Sequence, residues 1–209
     1  MSGRGLLALF RLVFGLLTFF AIGFQLKTLA DEGRLDLVNY FSYFTILSNL
    51  IGATLLLIGA ARWRSPRSAR IDLLRGGAVV YLTVTFIVFA LLLSNTDVDL
   101  AIPWVNSVLH EIIPVVVVMD WLMDPPRVRL THRQGLLWLS FPAAWIVYVL
   151  IRGAIVGKYP YPFLDPANGG YVSVAIYCVA ILVLMLAMCR AVVAVGAWAR
   201  SRHDLAAAS

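Results

Sequence analysis

The chain has 209 residues, 61% of them hydrophobic and only 13% charged, with a mean hydropathy of +0.88. A soluble domain of this size needs far more surface charge, and the length leaves room for one helix bundle and no separate soluble domain. The net charge of +6 would suit nucleic acid, but nearly all the charges punctuate long apolar runs, so no nucleic-acid partner is expected.

Six apolar runs stand out, over about 6–28, 38–61, 74–94, 101–123, 134–152 and 171–196, each near the ~20 residues that a bilayer crossing needs. Arg4 precedes the first run as in a signal peptide, but the run is too long for a signal core and is read as a helix. The second run opens on Asn39-Tyr40-Phe41-Ser42-Tyr43-Phe44-Thr45, with Phe41, Thr45 and Asn49 at helical spacing on one face. The fourth holds Asn106, His110 and Glu111. Asn106 and His110 are one turn apart on one face, and Glu111 is rotated by about 100° onto the next. Between the fifth and sixth runs, Pro160, Pro162 and Pro166 forbid a regular helix. Tyr159, Tyr161 and Phe163 there suit a head-group anchor or a partly re-entrant lid. Cys178 and Cys189 both fall within the sixth run, too far apart on one helix for a disulfide, and are read as packing residues.

Counting lysine and arginine between the runs gives the orientation. With the N-terminus inside, thirteen fall on the inner side: Arg4, Arg11, Arg62, Arg64, Arg67, Arg70, Arg75, Arg127, Arg129, Arg133, Arg190, Arg200 and Arg202. Four fall outside: Lys27, Arg34, Arg152 and Lys158. The outer connections carry Asp31, Glu32, Asp36, Asp97, Asp99 and Asp165 instead. The expected architecture is all-α, a single six-transmembrane-helix bundle over residues 1–209, N-in and C-in. The basic stretch from Arg62 to Arg75 then reads as a topology determinant lying against anionic head groups.

Membrane interiors penalise ionisable groups, so each one needs a reason. His132 and His203 fall in inner connections, where water solvates them. His110 lies inside a run; it serves either as a hydrogen-bonded tie between helices or as a functional group. A lone intramembrane His lacks the second His or Cys of a haem or metal site, so no cofactor or metal is expected. Thr45, by spacing alone, needs no purpose beyond bonding the carbonyl one turn back. Depth connects the two. Both runs enter from the outer side, and Thr45 and His110 lie about 7 and 9 residues into them, roughly 10–14 Å below the interface.

Three segments together resemble the androgen-induced/androgen-dependent membrane protein family, whose animal members hydrolyse fatty acid esters of hydroxy fatty acids within the membrane. They are Phe44-Thr45 with its apolar continuation through Leu50, Pro103-Trp104-Val105-Asn106 followed by His110 and Pro114, and Tyr161-Pro162-Phe163-Leu164. The resemblance implies Thr45 as nucleophile, His110 as general base and Asn106 as a family asparagine beside the histidine; Glu111 stands outside the pattern. It also implies a short-loop branch of bacterial style, hence the bacterial cytoplasmic membrane. A threonine hydroxyl needs an adjacent base, and Asn49 or Asn106 would be the oxyanion donors. There is no Gly-x-Ser-x-Gly elbow and no His-Glu-x-x-His. The expected function is hydrolysis of lipid-like esters, with membrane lipids and the ester as partners. Tyr161, Pro162 and Phe163 would be its lid or substrate contacts. The alternative is a non-enzymatic lipid or small-molecule binder or a small carrier, using His110 and Glu111 as a protonatable pair.

Overall fold

A computed structural model describes residues 2–94 and 102–208, the final six by backbone alone. The chain is all-α: 83% is helical, and no strand occurs among the described residues. Six helices are long and apolar enough to cross a bilayer, which points to a membrane protein. They are α1 (Gly3–Asp31), α2 (Phe44–Ala61), α3 (Ala69–Leu93), α4 (Pro103–Met123), α5 (His132–Val156) and α6 (Gly170–Ala208). Leu91, Ile155 and Val172 are each about three-quarters exposed, so the outer face is apolar where a soluble bundle would be charged. Asp97, Asp99 and the first residue of the expected fourth run lie outside the described residues, as does the side chain of His203.

Helix ends differ from run ends because caps set them, not hydropathy. Ser2 accepts from the Gly5 amide at the start of α1, and Ser68 accepts from the Ile71 amide at the start of α3. Thr131 and Gln134 form a reciprocal capping box that starts α5 before its apolar run.

The largest departure is in the second run. The expected continuous helix over 38–61 breaks into a short helix, Leu37–Tyr40, capped by Asp36, and then α2 from Phe44. Ser42 causes the break. Its hydroxyl donates back to the Val38 carbonyl at 2.6 Å, and its own carbonyl accepts the Trp145 indole N–H at 2.9 Å. That carbonyl is therefore committed to a partner outside the helix. Thr45 thus stands in the first turn of α2, not roughly two turns into a helix.

In the packing, α3 is central and meets α2, α4, α6 and the base of α5, while α1 lies against α2 and α4. The base of α5 is clamped to α3. A Cβ on Gly76 would sit 2.3 Å from the Trp138 ring, so only glycine admits that approach. The Trp138 indole donates to the Leu73 carbonyl at 2.7 Å, and the Tyr81 hydroxyl donates to the Trp138 carbonyl at 2.8 Å. Beyond this clamp, α5 meets α6 chiefly through its first turns, and the stretch Ser140–Val156 stands away from it.

At the end of the bundle that holds the starts of α1 and α3 and the end of α4, three arginines interlock with three aspartates. Arg11 Nε donates to Asp120 at 2.5 Å and its Nη2 to Asp124 at 2.6 Å; Arg75 Nη2 donates to Asp120 at 2.6 Å. Arg67 pairs with both Asp72 and Asp124, and Asp72 also accepts the Arg127 amide at 2.7 Å. Here the basic stretch departs from expectation. Arg62, Arg64 and Arg70 are exposed, but Arg67 and Arg75 turn inward onto carboxylates and not out toward head groups. Burying these charges is tolerable only because each has partners.

Candidate active site

Thr45 and His110, borne on α2 and α4, meet near the opposite end of the bundle. The α4 backbone is shaped for this by Pro114, which has no N–H to give the His110 carbonyl four residues back. The helix widens into a π turn over Val108–Ile112, with the Ile113 N–H reaching the Val108 carbonyl. A second π turn, Phe89–Leu93, ends α3, and the Phe89 ring stacks on the His110 imidazole at 4.3 Å and 24°. The two widened turns thus face one another across the histidine.

His110 Nδ1 lies 3.1 Å from the Asn106 carbonyl oxygen. A carbonyl only accepts, so Nδ1 carries the proton and Nε2 presents its lone pair. That lone pair faces Thr45 Oγ1 at 3.2 Å, and the threonine hydroxyl donates to it. Tyr161 completes the arrangement. Its hydroxyl receives the Thr45 N–H at 3.2 Å and lies 3.2 Å from Thr45 Oγ1, to which it donates once the threonine proton is turned to the histidine. Tyr161 itself is buried, edge-on to Tyr43 at 5.5 Å and stacked on Phe163 at 5.2 Å. Burial pushes its hydroxyl up to about 12, against the opposing pull of the hydrogen bonds from Thr45, so it stays a donor at neutral pH.

The other candidates are placed as follows. Asn49 Nδ2 donates to the Thr45 carbonyl at 2.9 Å and to the Leu109 carbonyl at 3.0 Å, which ties α2 to the π turn and leaves neither amide hydrogen for a substrate. Asn106 supplies the carbonyl that orients His110, and its half-buried side chain lines a small cavity beside the pair. Glu111 is exposed and borders neither cavity at the pair. Pro162 is exposed, opening a 3₁₀ turn that carries Phe163 and the buried Leu164. Sequence reasoning missed Phe89 and the direct bond from the Tyr161 hydroxyl to Thr45. No spacing signals Phe89, but a tyrosine inside a proline-rich connection was visible as a residue with a polar tip to place.

Two cavities share Thr45, Leu93, His110 and Tyr161 as a common wall. The larger, about 320 Å³, runs into the gap between α5 and α6 past Pro142, Ile146, Leu182 and Met185, and no charged side chain lines it. The smaller, about 50 Å³, lies on the α1 and α4 side, against Gln25, Val105 and Asn106. Among the described residues no group of three or more His, Cys, Asp or Glu is arranged to hold a metal ion. No protein-family model, curated protein or solved structure matches the chain.

Proposed function

We propose that this protein is an integral membrane hydrolase of lipid-like esters, with Thr45 as nucleophile and His110 as general base, akin to the androgen-induced/androgen-dependent family. One observation carries the reading: Thr45 Oγ1 stands 3.2 Å from the unprotonated nitrogen of His110, at the end of an apolar cavity of about 320 Å³. A hydroxyl, a base and a long apolar chamber are what cleavage of an acyl ester requires. In the acylation step Thr45 Oγ bonds to the ester carbonyl carbon while its proton passes to His110 Nε2. The tetrahedral oxyanion then collapses, the carbon–alkoxide bond breaks, and the leaving oxygen takes the proton back from His110. Charge on the oxyanion is met by the positive end of α2 and by the Tyr161 hydroxyl, whose single proton turns to it from Oγ1 as that oxygen bonds to carbon. The arginine and lysine distribution supports placing both termini on the cytoplasmic side, and the resemblance to a short-loop branch supports a bacterial cytoplasmic membrane.

The deciding experiment is a long-chain fluorophosphonate probe on the purified protein in nanodiscs, read by intact mass and peptide mapping. A single adduct on Thr45, absent from Thr45→Ala, is expected. Labelling that ignores this substitution would refute the assignment. Tyr161→Phe removes one donor to the reacting oxygen, and kcat for a long-chain ester is expected to fall by about 10²–10³-fold, as for other lost oxyanion donors. The apolar chamber also suits a non-enzymatic lipid binder, for which the mark is reversible lipid binding with no adduct. That reading no longer draws on a His110–Glu111 pair, because the Glu111 side chain is exposed.

A further inference from the structure

Both cavities open onto the same four residues, yet their walls differ in kind. The larger is bounded by the start of α2, by α3, α5 and α6 and by the Tyr161 connection, and most of the residues that line it are apolar. The smaller is bounded by α1, α4 and the facing ends of α2 and α3, and Gln25, Asn106 and Tyr43 join Thr45, His110 and Tyr161 in its lining. Gln25 is buried, and its Oε1 already accepts the Tyr40 hydroxyl at 2.9 Å, which holds the amide in place. A water molecule needs roughly 10–15 Å³ and two to four polar partners. The small chamber has that room and adds Gln25 and Asn106 to the shared Thr45, His110 and Tyr161, whereas the large one runs away from that shared wall along mostly apolar side chains.

We propose that the small chamber holds the hydrolytic water, so the two halves of the reaction are fed from opposite sides of the Thr45–His110 pair. This rests on the hydrolase reading given above. With an acyl chain filling the α5–α6 chamber, the deacylating water approaches from the α1–α4 side. Its oxygen bonds to the acyl carbon as its proton passes to His110 Nε2. The bond from that carbon to Thr45 Oγ breaks, and His110 returns the proton to Oγ. A free fatty acid and the original threonine result. The size of the chamber also sets which nucleophiles are admitted: water and others of similar bulk.

The test follows acyl-enzyme partitioning in the full-length protein in nanodiscs with a long-chain p-nitrophenyl ester. Hydroxylamine is compared with N-tert-butylhydroxylamine, each normalised to its reactivity with the same ester in protein-free nanodiscs. Hydroxylamine is expected to intercept the acyl-enzyme as the hydroxamate, and the tert-butyl compound is not. Equal interception by both would overturn the proposal. Asn106→Leu keeps the carbonyl that orients His110 but takes one polar side chain from the chamber and narrows it. The p-nitrophenol burst should survive, steady turnover should fall about tenfold, and acylated Thr45 should accumulate. A burst and turnover that fall together, or an unchanged deacylation rate, would also overturn it. No Thr45 adduct in the unsubstituted protein would remove the hydrolase reading itself, whereas an adduct with size-blind partitioning removes only the water chamber.

Discussion

Replacing His110 with alanine is expected to lower kcat/KM for a long-chain ester by about 10²–10⁴-fold, the range that a positioned general base supplies. The geometry makes the loss specific. The imidazole is fixed by the Asn106 carbonyl on one nitrogen and the Phe89 ring on its face, so the remaining nitrogen has one direction to point, toward Thr45 Oγ1. His110→Gln retains a polar side chain but not a ring with a lone pair held opposite an anchored N–H, and it is expected to be nearly as inactive. Thr45 would keep its Tyr161 bonds in both variants, so the helical fold and elution volume in detergent should match the unsubstituted protein. Activity within a fewfold of the original in a well-folded His110→Ala protein would remove the histidine from the mechanism.

The largest effect on stability is expected at the other end of the bundle. Asp120→Ala leaves the buried guanidinium groups of Arg11 and Arg75 short of a shared carboxylate, and breaking a buried pair typically costs about 3–5 kcal/mol. Lys27→Ala breaks an exposed i,i+4 pair with Asp31 and should cost under about 1 kcal/mol. Unfolding by denaturing detergent separates the two; similar losses would mean that the network is not the lock described here. Acid should loosen the same end. Burial pushes the Asp124 carboxyl up, but the Arg11 hydrogen bond and the charges of Arg67, Arg75 and Arg11 outweigh it and hold it at about 2, below its ordinary 3.8. A value lowered by folding contributes stability that is fully present above pH 3.8 and is lost as pH falls through 2.

The helix count and order were legible because a bilayer demands long apolar runs, and these need no knowledge of partners. Thr45 and His110 stand out in the sequence by depth and by family resemblance, and in the structure Thr45 Oγ1 lies 3.2 Å from His110 Nε2. The continuous helix assumed in counting that depth does not form, because the Ser42 carbonyl accepts a bond from Trp145, more than a hundred residues away. Local spacing carries no trace of such a contact. The arginine–aspartate network was partly readable. Arg11, Arg75 and Asp120 all lie within apolar runs, where an ionisable side chain requires a partner, and opposite charges in three runs near one end of the bundle imply pairing. Asn49 shows the reverse case: its residue type suited an oxyanion donor, but both its amide hydrogens are committed to backbone carbonyls.

On the hydrolase reading proposed above, the divergence of α5 from α6 above the Trp138 clamp changes what substrate concentration would mean. A slot open to surrounding acyl chains is filled from two dimensions, so a hydrolase loaded through it responds to the mole fraction of ester among its lipid neighbours, not to its amount per volume of solution. For such a hydrolase those neighbours would also be rivals for the slot, and the bilayer itself would act as a weak competitive inhibitor.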